Sequence, residues 1–302
     1  MISHVGELAA ALLVVLLLAA GALIGLAARW VVGHPERIRA GLAWAADRPA
    51  VTWVRSRYPR QWRFVGRRFA PGEAAGLALT VGVVAVLALG LSFGEILDHV
   101  LDGEGVAVAD RPVARFLAGH REPWLITVAQ LISHLGSPVG ATLTGTVVGV
   151  ALARIQRSWL PLVVMVLGVG GIGLINMTVK RLVGRDRPPL AMAVLGEDGF
   201  SFPSGHTVGT TVVWLLSAWM IGRWVITRRS GKAAVWAGAL LMILAVGTTR
   251  VFLGVHFPSD VLAGWVLGAA WAVTIALVAN VWEQSPHSAA GVDGDRHPVR
   301  TE

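Results

Sequence analysis

Cysteine is absent from the 302 residues, which excludes a disulfide framework, a thiolate nucleophile and any cysteine-held metal. Charge is scarce as well. Asp, Glu, Lys and Arg make up 15% of the chain against 55% hydrophobic residues, and the mean hydropathy of +0.65 is more than a water-soluble domain can hide. Residues 1–7 carry no cation, only Glu7, and the first arginine is Arg29. A cleavable signal peptide needs positive charge ahead of its apolar core, so the first apolar run reads as a permanent helix. Basic residues exceed acidic ones by 8, but they cluster between apolar runs instead of forming one basic face, which argues against a nucleic-acid partner. No internal repeat is present.

What the chain has in abundance is apolar length. Runs of about 20 residues, enough for a hydrocarbon core about 30 Å thick, fall at 8–28, 74–93, 125–152, 159–179, 206–226, 233–250 and 260–281. The expectation is an all-α polytopic helix bundle with a six-helix core over 73–282. An extra amino-terminal transmembrane helix and a basic segment occupy 1–72, and a disordered cytoplasmic tail occupies 283–302. Residues 29–72 hold ten arginines against Glu36 and Asp47, and such an excess stays cytoplasmic. Trp44, Trp53, Trp62 and Phe64 are interleaved with them. This segment reads either as lying among anionic headgroups or as a solvated orientation signal. The loop 94–124 is acidic and the turns after the third and fifth runs are basic again. The pattern puts the amino terminus outside and the carboxy terminus inside.

One loop departs from this alternation. Residues 180–205 belong outside by the count, yet carry Lys180, Arg181, Arg185 and Arg187 against Asp186, Glu197 and Asp198. A bound anion gives those cations a purpose. Three clusters share that side: K-R-L-V-G-R-D-R-P from Lys180 to Pro188, P-S-G-H from Pro203 to His206, and T-R-V-F-L-G-V-H-F-P-S-D from Thr249 to Asp260. Singly they have ordinary explanations. Lys180 and Arg187 fit as interfacial anchors, Ser204 as a helix cap, and Asp260 as a first-turn acid after Pro258. Together they place three cations, two histidines and a carboxylate at one depth. A phosphate or pyrophosphate ester needs fixed cations around its oxygens, and Lys180, Arg187 and Arg250 supply them. Backbone N–H groups at Ser204 and Gly205, at the start of a helix, add donors.

The clusters resemble the signature of the type-2 phosphatidic acid phosphatase superfamily, K-x6-R-P, P-S-G-H and S-R-x5-H-x3-D. Thr249 replaces the serine and keeps its hydroxyl. The resemblance covers the apolar runs from 74 to 281 and leaves the first run outside. It implies that His256 is a nucleophile forming a phosphohistidine, that Asp260 orients it, and that His206 protonates the leaving oxygen. Such roles imply a neutral His256, a charged His206 and a bell-shaped rate profile. The site's single carboxylate is too few for a magnesium cage, and the resemblance likewise implies catalysis without metal or other cofactor. The expected activity is an integral-membrane lipid phosphatase working on the extracytoplasmic face. Candidate substrates are polyprenyl pyrophosphate, phosphatidylglycerol phosphate and phosphatidic acid. Lipids are the expected partners, and the chain carries no signal for its oligomeric state. The alternatives are a phosphotransferase and a non-enzymatic lipid-phosphate carrier. His99, His120 and His134 have no partner at catalytic spacing.

Overall fold

A computed structural model describes residues 56–58, 74–194 and 196–283. The expected first span, nearly all of the basic segment and the tail beyond Glu283 lie outside the described residues. Among those described, eight α-helices and no strand are found: α1 (Ala74–Asp102), α2 (Asp110–Ala118), α3 (Pro123–Leu135), α4 (Pro138–Gln156), α5 (Leu160–Val183), α6 (Gly205–Trp224), α7 (Arg229–Phe252) and α8 (Pro258–Glu283).

The expected run 125–152 is not one span. It breaks at Gly136–Ser137–Pro138 into α3 and α4. Pro138 brings no N–H, so it suits the first turn of a new helix, and Ser137 caps it by accepting from the Gly140 N–H at 3.0 Å. Gly136 lies against α7, where an added Cβ would come within 2.2 Å of Val246. Periodicity cannot report such a break, because both halves are apolar. α3, with 13 residues, is too short to cross the bilayer, so the six long helices remain.

Five of those six combine the length and hydropathy of membrane spans. The sixth, α6, has comparable length at 20 residues, about 30 Å, but less hydropathy. It packs against α4, α5, α7 and α8, and buries Thr207, Thr210, Thr211 and Ser217 among them. A helix shielded by protein needs less apolar surface than one facing lipid. The outer helices do the reverse. Leu91 on α1, Val147 on α4 and Leu182 on α5 are each more than 60% exposed, as a bilayer-facing surface requires. The core beneath is Met165 and Ile172 of α5, Val208, Val212 and Leu216 of α6, and Ala272 of α8.

Lipid tails are as apolar as leucine, so helix association here rests on close packing. Gly264 and Gly268 of α8, four residues apart, lie against α6. Cβ atoms added there would sit 2.9 Å from Thr207 Cβ and 2.7 Å from Thr211 Cβ respectively. This seam draws the starts of α6 and α8 together. The Ser204 N–H donates to the Asp260 carbonyl at 3.0 Å. The up-and-down connectivity then puts the end of α5, the start of α6, the end of α7 and the start of α8 at one end of the bundle.

Candidate active site

Those four helix ends carry the three clusters. Lys180 occupies the last turn of α5, and Arg187 follows Gly184, which ends that helix with φ 63°. His206 is in the first turn of α6, Arg250 in the last turn of α7 and Asp260 in the first turn of α8. His256 sits on the short α7–α8 connection, 1% exposed. A cavity of about 630 Å³ opens among them, lined at its polar end by Lys180, Arg187, Glu197, Gly205, His206 and His256. Its remaining wall is mostly apolar and comes from α4, α5 and α6, including Ala141, Val169, Ile172 and Met177, with Thr142 and Asn176 as its polar members.

The His256 ring is fixed on both edges. Arg187 Nη1 lies 3.2 Å from Nε2. Because a guanidinium only donates, Nε2 is the accepting nitrogen, with its lone pair toward Arg187. Nδ1 therefore carries the proton and faces Asp260 Oδ2 at 3.4 Å, a long contact. That oxygen also accepts the Phe257 N–H at 2.9 Å. Burial pushes the His256 imidazole down to about 4, against the hydrogen bond and charge of Asp260, which raise it. The ring is thus neutral near pH 7, as a nucleophile must be.

The cationic cradle holds an internal ligand. Arg187 Nη1 meets Glu197 Oε2 at 3.0 Å, and the other oxygen of Glu197 pairs closely with Arg250 Nη2. Arg187 also donates to the carbonyls of Gly199 (3.0 Å) and Asp198 (3.2 Å). Lys180 Nζ is directed at those of Phe200 and Ser201. Burial alone would raise the Glu197 carboxyl, but the charge and hydrogen bond of Arg250, with His206 and Arg187, hold it below the usual range. Glu197 is therefore an anion lodged between two of the three expected phosphate-binding cations.

Two expected binding residues stand elsewhere. Arg250 is 2% exposed and reaches the cavity only through Glu197. Its Nη1 is held by Ser133 Oγ of α3 at 2.6 Å. Ser204 is fully buried; its N–H goes to Asp260 and its Oγ accepts from Thr207 at 2.9 Å. The expectation of a Ser204 N–H facing the phosphate is corrected, because closure of the α6–α8 seam consumes that donor. Gly205 and His206 are the part of the helix start that lines the cavity.

Sequence reasoning missed Asp110, Ser133, Arg185 and Glu197 as members of the site. Arg185 and Glu197 belong to the loop whose excess cations demanded an explanation, a signal that could have found them. Asp110 and Ser133 sit about 120 residues or more before the last cluster, and no local pattern marks them.

Comparison with known proteins agrees with this fold. The family profile described as the PAP2 superfamily matches residues 158–283. Phosphatidylglycerophosphatase B of Bacillus subtilis is 32% identical over 173 residues, covering 57% of this chain and 84% of that relative. Decaprenylphosphoryl-5-phosphoribose phosphatase of Mycobacterium tuberculosis is 32% identical over 153 residues, 49% of this chain and 76% of the relative. Among solved structures, the transmembrane PAP2 type phosphatidylglycerolphosphate phosphatase from Bacillus subtilis superposes with a TM-score of 0.59 at 26% identity, spanning 70% of this chain and 98% of the other. With a relative above 30% identity matched over most of its length, and spans and fold in agreement, this chain belongs to the PAP2 superfamily.

Proposed function

We propose that the protein hydrolyses a lipid phosphate or pyrophosphate through a phosphohistidine on His256, with the site on the extracytoplasmic face. The observation that carries this reading is the His256 Nε2 lone pair turned toward Arg187 in a cavity whose opposite wall is mostly apolar. The phosphoryl group takes the places now held by Glu197 and the loop carbonyls, against Lys180, Arg187 and Arg250. The lipid tail follows the wall of α4, α5 and α6. Nε2 attacks phosphorus, the bond to the lipid oxygen breaks, and His206 gives that oxygen its proton. Water then attacks the phosphohistidine while His206 takes its proton; the P–N bond breaks and inorganic phosphate leaves. The Asp260 carboxylate stabilises the charge on His256 between the two steps.

The arginine excess ahead of α1 and the positive-inside rule support the outer location of the site. The relatives' named substrates are a phosphatidylglycerol phosphate and a decaprenyl-linked phosphoribose phosphate, so a phosphorylated membrane lipid is the substrate class.

The test is a panel of phosphatidylglycerol phosphate, phosphatidic acid and polyprenyl pyrophosphate given to purified protein in detergent, with and without chelator. Inorganic phosphate released from lipid and water alone, with chelator making no difference, is the expected result. Transfer to an added alcohol without free phosphate indicates a phosphotransferase, and no turnover of any lipid removes the enzyme reading.

The acidity of His256 sets a further expectation. With its pKa at about 4, the ring is neutral above that pH and protonated below it. Thus kcat/KM rises with pH through about 4 as the ring becomes neutral. A profile without that acid limb contradicts a neutral His256 as the attacking group.

A further inference from the structure

Behind Asp260 lies a second charged layer, made by Arg185 of the first cluster and by Asp110, which lies outside all three. Arg185 stands between two carboxylates, with Nη1 2.6 Å from Asp260 Oδ1 and Nη2 2.6 Å from Asp110 Oδ2. Arg185 Nη1 also donates to Ser259 Oγ at 2.8 Å. Asp110 in turn accepts the Ser259 N–H at 2.9 Å and the Ser259 hydroxyl at 2.5 Å. The guanidinium lies 4.6 Å over the Phe257 ring. Asp110 and Asp260 are 2% and 0% exposed, so neither is screened by solvent.

We propose that Asp110 and Arg185 are a positioning pair that sets the orientation and charge of Asp260, and through it aligns the His256 ring with the phosphate cradle. The inference rests on the active-site reading above. Both oxygens of Asp260 are assigned: Oδ1 to Arg185, Oδ2 to the Phe257 N–H and His256 Nδ1. The carboxylate plane therefore cannot turn without breaking a contact to Arg185. Two buried carboxylates share this one guanidinium, and removing one partner of such an arrangement leaves uncompensated buried charge. Asp110 fixes the other side of the fork and also holds the backbone of Ser259. The pair thus ties α2, the α5–α6 loop and the start of α8 into one frame. Neither residue reaches the substrate cavity, so the effect passes through Asp260.

A purely structural brace would cost stability and leave the nucleophile's titration in place. The positioning role differs, because Arg185 partly offsets the charge that Asp260 presents to His256. The other charges facing His256 are Lys180 and Arg187 of α5 and its loop, Glu197 of the same loop, His206 of α6 and Arg250 of α7. Arg185→Met leaves all of them in place. It makes Asp260 effectively more negative toward the imidazolium, so the acid limb of kcat/KM moves to higher pH.

The experiment first establishes lipid-phosphate hydrolysis by the wild type, whose failure would remove the active-site reading itself. In Arg185→Met, kcat is then expected to fall roughly ten- to hundredfold, by analogy with the loss of an outer partner that orients a metal-binding histidine. KM should change little, and the acid limb should shift upward. Arg185→Lys, which retains the charge, should return the limb toward its wild-type position. Should Arg185→Met fail to fold, Asp110→Asn serves: it removes an anion, so it should lower kcat without raising the limb. Wild-type kcat and limb in the folded variant overturn the proposal. So does lost activity with an unmoved limb in Arg185→Met, or an upward shift in Asp110→Asn.

Discussion

His256→Ala is expected to abolish turnover, lowering kcat by on the order of 10⁴-fold or more, as deletion of an attacking nucleophile does elsewhere. The fold should survive. The ring's polar partners, Arg187 and Asp260, each keep others: the Val255 carbonyl at 2.9 Å for Arg187, and the Phe257 N–H and Arg185 for Asp260. No buried charge is orphaned, so the cost is that of a small polar cavity. Phosphate release and elution as a monodisperse protein–detergent particle, measured on one preparation, separate the two effects. Substantial hydrolysis by the folded variant would take His256 out of its role.

His206→Asn is expected to cost about 10²–10⁴-fold, the usual contribution of a positioned proton donor, and the loss should depend on the substrate. A lipid alkoxide leaves poorly without a proton, so a phosphate monoester of a glycerol lipid should show the full effect. For a p-nitrophenyl ester, whose leaving group needs no proton, kcat/KM should stay near the wild-type value, while kcat falls because His206 also takes a proton from the water of the second step. Equal losses on both substrates would assign His206 to binding instead of acid catalysis. His206 lines the same cavity as His256, Lys180 and Arg187, so all four can meet one phosphoryl group.

The sequence already showed the membrane bundle, because long apolar runs have few other uses, and it showed the clusters around Lys180, His206 and His256, because each is compact in sequence. What stayed hidden depends on distant contacts. The break at Pro138 is the exception, since Gly136–Ser137–Pro138 is a local turn signal that a count of apolar length passes over. The lower hydropathy of α6, taken in the sequence as an ordinary apolar run, follows from the four neighbouring helices that shield it. The Gly264–Gly268 seam was readable as a small-residue motif but had no partner to name. Asp110 looked like one acid among several in an outer loop; its pairing with Arg185, 75 residues away, is set by tertiary packing. Glu197 was counted only as a countercharge, whereas it bridges Arg187 and Arg250.

That bridge also explains how two guanidiniums stay close together. Like charges in buried surroundings repel strongly, and the Glu197 carboxylate between them neutralises part of that repulsion.

The central claim is a covalent bond between phosphorus and His256. Its most direct measurement is rapid quench of wild-type protein turning over a radiolabelled lipid phosphate, followed by peptide mapping. The account predicts a label that survives alkali and is lost in acid, carried on the peptide containing His256 and absent in His256→Ala. A label on His206, or none at any time while phosphate is being released, would contradict it.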